Sequence, residues 1–149
     1  MATLYLAYGS NMNTKQMAVR CPTAKVVGKA NLEGYELLFC GANGEAYATI
    51  TKNPEKETPV VVWELDDIAE KRLDNYEGYP TFYDKEYFRV EMDGKPIRAM
   101  AYVMKEGVPL GVPERHYYEG ILEGYQAAGF DTAILDEALR VSDPEPEPK

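Results

Sequence analysis

The sequence predicts an α+β domain: a mixed, mainly antiparallel β-sheet curled toward a small barrel, with helices flanking it. Three observations lead there. Most strand-like segments follow one another as hairpins, around Gly41-Ala42-Asn43-Gly44 and Asp93-Gly94, rather than alternating with helices as a doubly wound sheet requires. One short apolar strand stands alone at the N-terminal end, and two amphipathic helical stretches gather after residue 113. The expected order is β-α-ββ-β-α-ββ-α-α.

Residues 2–8 read as a strand apolar enough to be central. Asn13 starts a short helix, with Gln16 as its reciprocal capping partner. Strand-like segments cover 24–30 and 35–40 with an interruption at 31–34, and 45–50 returns after the Asn43-Gly44 turn. Pro54 and Pro59 bracket a charged loop, after which Val60 to Leu65 forms the most apolar strand. Asp66 or Asp67 caps a helix to about Tyr76, with Ile68, Leu73 and Tyr76 available for one face. A hairpin over 83–104 turns at Asp93-Gly94; its two-residue loop sets Met92 against Lys95 and Val90 against Ile97, with Tyr83, Tyr87, Met100 and Tyr102 on one face. That register opposes Arg89 and Arg98, which calls for Glu91 or another acid between them. Pro113 suits the first turn of a helix reaching Ala128, whose apolar stripe includes Tyr117, Ile121 and Tyr125 and which Gly129 stops. Asp131 caps a last short helix. Residues 1–141 are expected to form a single domain, and 142–149, alternating proline with acid, a disordered tail.

Composition narrows the function. The chain has 149 residues, enough for one well-buried core. A net charge of −9 argues against nucleic acid and anionic membrane surfaces as partners. No apolar run suits a transmembrane helix and no secretory signal is visible, so cytoplasmic residence is the default expectation. Cys21 and Cys40 lack metal-ligand spacing and are expected as free thiols, and the one histidine, His116, lies in a polar Glu114-Arg115-His116 cluster. Neither a Cys/His metal site nor a Ser–His or Cys–His enzyme finds support.

Two segments carry chemistry. The N-terminal strand stops abruptly in Tyr8-Gly9-Ser10-Asn11, a turn that can aim successive backbone N–H groups at one oxygen. Leu73-Asp74-Asn75-Tyr76-Glu77-Gly78-Tyr79-Pro80 places Glu77 at a helix C-terminus, where the negative end of the dipole pushes its carboxyl toward the protonated form. Taken singly, the first is an ordinary strand-to-helix turn and Glu77 a solvated helix-end carboxylate. Together, an amide-lined loop and one positioned carboxylate suffice for an acyl transfer without metal or protein nucleophile.

These segments, with Tyr83 and Ala101-Tyr102-Val103-Met104, resemble the γ-glutamylcyclotransferase-like family (the AIG2-like, γ-glutamylamine cyclotransferase superfamily) in order and spacing over roughly residues 3–130. The resemblance implies a small barrel with flanking helices and a lactam-forming enzyme. Its substrate would be a small γ-glutamyl amine or γ-glutamyl amino acid, converted to 5-oxoproline and free amine without a cofactor. It implies Glu77 as general acid/base, backbone binding of the glutamyl group by Tyr8, Gly9, Ser10 and Asn11, and Tyr83 and Tyr102 as pocket walls. Tyr-Gly-Ser-Asn resembles the branch acting on γ-glutamyl amino acids and antibiotic-pathway intermediates. Glu77-Gly78-Tyr79-Pro80 with Tyr83 resembles the branch acting on γ-glutamyl amines such as isopeptide-linked lysine. The alternatives are a non-catalytic ligand-binding or interaction domain on the same fold, and a biosynthetic enzyme that removes a γ-glutamyl protecting group.

Overall fold

The computed structural model describes residues 2–144. Its centre is β1 (Thr3–Ala7), which lies antiparallel to β3 (Tyr47–Leu65) on one side and parallel to β5 (Lys95–Met104) on the other. With β2 (Lys25–Cys40) and β4 (Tyr83–Met92) the sheet has five strands in the order β2-β3-β1-β5-β4. Tyr5, Leu6 and Ala7 are all buried, with no alternation, so both faces of β1 are covered. The α+β class and the mixed, mainly antiparallel sheet are as the sequence predicts.

The two halves of the first hairpin are longer than expected. β2 runs unbroken through 31–34, with register shifts at Val26/Gly28 and Glu33/Tyr35, and β3 runs through both prolines. Pro54 falls in the stretch between Lys52 and Glu57 that has no paired residue, so its missing N–H costs no ladder bond there. Pro59 pairs with Asn31, while β1 covers only Val61–Leu65 of β3's other edge. Glycine and proline therefore mark bulges and unpaired edges here, not strand ends.

The sheet curls until its outer strands touch. Tyr35 of β2 meets Phe88 of β4 edge-on at 5.2 Å between ring centroids, and a Cβ on Gly28 would lie 2.5 Å from Met92 Sδ. Side chains make this closure; among the described residues no hydrogen-bonded ladder joins β2 to β4, so the barrel is left open.

The β4–β5 register matches the expectation, pairing Met92 with Lys95 and Val90 with Ile97 across Asp93 (φ 54°) and Gly94 (φ 76°). Arg89 does face Arg98, but relief comes from an aromatic ring instead of an acid: the Arg98 guanidinium lies 4.1 Å from the Tyr87 centroid. Tyr83, Met100 and Tyr102 are buried, whereas Tyr87 is open to solvent.

Each helix starts on a side-chain cap. Asn13 Oδ1 accepts the N–H groups of Lys15 and Gln16 at the start of α1 (Thr14–Arg20), but Gln16 does not reach back; its amide lies against Gly120. Asp66 Oδ1 accepts Ala69 N–H at 2.7 Å to open α2 (Asp67–Glu77), and Gly78 closes it at φ 69°. Its buried residues are Ala69 and Leu73. Ile68 and Tyr76, expected inward, point outward, since the inner face also carries Glu70, Asp74 and Glu77. Glu114 caps α3 (Arg115–Ala128), so Pro113 precedes the cap and stands outside the first turn. Ile121 and Tyr125 form the buried centre of the α3 stripe. Asp131 caps α4 (Thr132–Ser142). The expected tail boundary moves, because Ser142 is buried and its Oγ accepts Phe39 N–H at 2.8 Å. Residues 145–149, the rest of that expected tail, lie outside the described residues. Among the described residues no helix is long and apolar enough to cross a membrane.

Candidate active site

β1 delivers Tyr8 to the edge of the core, and the chain then tightens into a single 3₁₀ turn at Ser10–Met12, closed by Met12 N–H to Gly9 C=O at 3.0 Å. The N–H groups of Ser10 and Asn11, at the head of this turn, have no intrahelical acceptor. Close packing fixes the loop. A Cβ on Gly9 would lie 3.2 Å from Ala48 Cβ, and one on Gly124 would lie 3.2 Å from Asn13 N. Asn13 Nδ2 donates to Gly120 C=O at 2.9 Å, so α3 presses on the loop along its two glycines.

Glu77, the last residue of α2, meets this loop. Asn11 Nδ2 donates to Glu77 Oε1 at 3.2 Å and to Tyr5 Oη at 2.9 Å. Burial pushes the Glu77 carboxyl up to about 7; the Arg20 charge and the Asn11 hydrogen bond oppose that rise only in part. The sequence reading had the right sign from the helix dipole, but desolvation is the main cause.

Around Glu77 stand Tyr5, Tyr8, Tyr83, Tyr102 and Tyr117, which with the 8–11 loop enclose a chamber of about 30 Å³. Tyr8 donates its hydroxyl to Tyr102 C=O, Tyr83 donates to Ala48 C=O at 2.7 Å, and Tyr117 Oη accepts Ala48 N–H at 3.0 Å. Burial raises the pKa of all five phenols, so they remain protonated near neutral pH. A groove of about 280 Å³, walled by Tyr47, Tyr76 and Phe82, adjoins the chamber through Ser10, Glu77, Tyr83 and Tyr117. The larger recess of about 950 Å³ between the β2–β3 and β4–β5 arms is wider but gathers none of these groups. Convergent polar atoms, not volume, single out the smaller space.

Behind the chamber, Lys85 Nζ bridges Asp74 Oδ1 at 2.8 Å and Glu70 Oε2 at 2.5 Å, and Tyr102 donates to Asp74 at 2.6 Å. This cluster ties α2 to β4 and β5 one turn before Glu77.

All seven residues singled out in the sequence (Tyr8, Gly9, Ser10, Asn11, Glu77, Tyr83 and Tyr102) border the one chamber. Tyr5, Tyr117 and Arg20 also belong to this neighbourhood and were read only as parts of a strand and two helices. Tyr5 had a signal: it is two residues from Ala7 on a strand buried on both faces. Glu45, Glu86 and His116 are exposed. Cys21 and Cys40 are free and buried. Among the described residues, no group of three or more His, Cys, Asp or Glu side chains is placed to hold a metal ion.

Known proteins resemble this chain in sequence and fold. A family model described as "Gamma-glutamyl cyclotransferase, AIG2-like" matches residues 5–124. A Bos taurus gamma-glutamylcyclotransferase is 31% identical over 137 residues, covering 85% of this chain and 71% of the relative. The Homo sapiens gamma-glutamylcyclotransferase is 31% identical over 110 residues, covering 68% of this chain and 58% of the relative. A solved structure described as gamma-glutamyl cyclotransferase superposes with a TM-score of 0.80 at 28% identity, covering all of this chain and 92% of the other.

Proposed function

This chain belongs to the gamma-glutamyl cyclotransferase, AIG2-like family and is an enzyme of that type, and on that premise we propose that it acts on a γ-glutamyl amine or γ-glutamyl amino acid with Glu77 as general acid/base. The products are 5-oxoproline and the free amine. The observation that carries the reading is a single carboxyl, raised by burial to about 7, that shares one chamber with the 8–11 loop and accepts a hydrogen bond from its Asn11.

The reaction needs little else. The substrate's α-amine attacks its own γ-carbonyl carbon, so the nucleophile arrives with the substrate. Alignment of such an intramolecular pair is worth roughly 7–11 kcal/mol. Ionised Glu77 takes a proton from the α-ammonium, the C–N bond of the five-membered ring forms, and the carbonyl electron pair moves onto oxygen. Backbone N–H groups at Ser10 and Asn11 hold that oxyanion; such donors contribute on the order of 10²–10³-fold each. Protonated Glu77 gives its proton to the leaving nitrogen and, ionised again, takes the second proton from the ring nitrogen. The tetrahedral centre then collapses, the bond to the leaving nitrogen breaks with its electron pair going to that nitrogen, and Glu77 passes the second proton to the released amine, ending ionised as it began. A carboxyl titrating near neutrality accepts and donates these protons with little bias against either. No protein nucleophile and no bound cofactor enters this sequence of steps.

Glu77→Gln keeps the shape and removes the exchangeable proton. It is expected to lower turnover by about 10⁴-fold, the upper end for a group used twice, while the protein stays folded and still binds 5-oxoproline. Acetylating the substrate's α-amine is expected to abolish 5-oxoproline release entirely. Near-wild-type turnover by Glu77→Gln, or hydrolysis of the acetylated substrate, sinks the mechanism. A panel of γ-glutamyl compounds giving no 5-oxoproline with the wild-type protein favours the non-catalytic alternative.

A further inference from the structure

We propose that Arg20 is a positioning residue for Glu77, acting through Asn11: its guanidinium fixes the Asn11 amide, and that amide holds one oxygen of the carboxylate and leaves the other to the substrate. The inference rests on the reading of Glu77 as the proton-transfer group, but its geometry stands apart from it.

Arg20 ends α1, where Nη1 donates to Asn11 Oδ1 at 2.6 Å and to Ser10 Oγ at 3.1 Å. Guanidinium nitrogens only donate, so the amide must turn its carbonyl oxygen toward Arg20 and its NH₂ away. That NH₂ then reaches Tyr5 Oη and Glu77 Oε1. Asn11 is 3% exposed, so water does not compete for either end. The guanidinium is itself held, with its carbon 4.1 Å from the centroid of Tyr76, the residue before Glu77 on α2. Arg72 Nε donates to the Arg20 carbonyl at 2.7 Å, a second tie between α1 and α2. Arg20 thus joins the 8–11 loop to the last turn of the helix that presents Glu77. Among the described residues Oε1 is the Glu77 oxygen with a protein hydrogen bond, which leaves Oε2 as the one to exchange protons.

The groups facing Glu77 are Tyr5 from β1, Tyr8 from the loop, Tyr83 from β4, Tyr117 from α3 and Arg20 from α1. The phenols are neutral near pH 7, so Arg20 is the cation that bears on this carboxylate. A residue that only stapled α1 to α2 would affect stability and every kinetic constant together. A positioning residue also moves the pH at which Glu77 titrates.

The test is ¹³C NMR of the protein labelled at glutamate carboxyl carbons, with the Glu77 signal identified by its loss in Glu77→Gln. Arg20→Met is expected to raise the Glu77 midpoint by on the order of one pH unit, the effect of removing one nearby opposite charge. The acid limb of kcat/KM moves with it, and kcat falls more than KM rises. Arg20→Lys keeps the charge and so keeps the midpoint, but it cannot make the same fork to Ser10 and Asn11, and kcat stays reduced. Should Arg20→Met fail to fold, Asn11→Asp carries the test. It retains an acceptor for Arg20, removes the donor to Oε1 and also raises the Glu77 midpoint. A wild-type Glu77 midpoint in folded Arg20→Met, or in Asn11→Asp, overturns the proposal. Failure of the catalytic reading appears separately, as wild-type turnover in Glu77→Gln, and leaves the NMR midpoints to judge Arg20 alone.

Discussion

Asp74 and Glu77 stand three residues apart on one face of α2, and among the described residues Asp74 alone of the two forms a salt bridge. Lys85 Nζ lies 2.8 Å from Asp74 Oδ1 and the Tyr102 hydroxyl 2.6 Å from it, whereas among the described residues no basic group comes within 4 Å of Glu77. One turn of helix thus separates a carboxylate tied to Lys85 and Tyr102 from one that burial raises to about 7. Two carboxyls set apart by environment, not by residue type, is how a fold assigns a structural and a proton-transferring acid.

The pH profile of turnover should report the second of these. Glu77 must be ionised to accept the α-ammonium proton, so kcat/KM for a γ-glutamyl substrate is expected to rise with pH through an inflection near the value of about 7 set by burial. Rates measured from pH 5 to 9 check this, with substrate-only titrations as the control. A profile flat across that range counts against Glu77.

Stability should change in the opposite sense. The Glu77 carboxyl titrates at about 7 in the fold against 4.5 unfolded. Its folded value is raised, so its contribution is full below pH 4.5 and is lost as pH rises through 7, a loss of at most about 3 kcal/mol. Glu77→Gln does not ionise and is expected to gain on the wild type between pH 5 and 8. Urea unfolding at pH 4.5 and pH 8 measures the gain; equal differences at both pH values refute it.

Lys85→Met should destabilise the fold by about 3 kcal/mol, because it strands Glu70 and Asp74 side by side without their cation. Burial alone would raise the Glu70 carboxyl, but its hydrogen bonds to Lys85 and Thr3 hold it below the usual carboxylate range. A lowered folded value means stability present above the unfolded pKa and lost as pH falls through the folded one. The wild type is therefore expected to lose stability on acidification, and Lys85→Met to lose less. Thermal melts at pH 7 and pH 3.5 compare the two.

The two glycines of α3 should respond differently to alanine. At Gly120 the added methyl meets the tip of the Gln16 side chain, which can swing aside. At Gly124 it meets backbone, 3.2 Å from Asn13 N and 3.3 Å from Met12 C. Gly120→Ala is expected to cost less than about 1 kcal/mol and Gly124→Ala about 1–3 kcal/mol, as overpacking does. Gly124→Ala should also lower turnover by shifting the 8–11 loop. Denaturation midpoints and 5-oxoproline release check both.

What the sequence made legible was local chemistry. Asn13, Asp66 and Asp131 all cap helices, and Asp93-Gly94 fixes the hairpin register, because each signal acts within four residues of itself. The loop at 8–11 and Glu77 stood out for the same reason. Properties set by distant pairing did not show. Pro54 and Gly34 read as strand breaks, yet the β2–β3 ladder carries the chain past both. The inner face of α2 was sought at Ile68, Leu73 and Tyr76; Leu73 is buried, with Ala69 beside it, while the other two are exposed. The cause of the raised Glu77 carboxyl is burial by β1, β4 and α3, which no helix-end argument contains. Arg20 gave no sign at all, since a basic residue in the last turn of a helix is ordinary capping chemistry.

The hydroxyls bordering the chamber have a consequence for what can dwell there. Tyr8 and Tyr83 each give their proton to a backbone carbonyl, and Tyr102 gives its own to Asp74. Their remaining capacity is as acceptors. With Glu77 beside them, this side of the chamber acts as a rigid solvent for N–H bonds, oriented in advance and unable to reorganise around the wrong guest. Ammonium and simple alkylammonium ions should therefore compete for that side of the space.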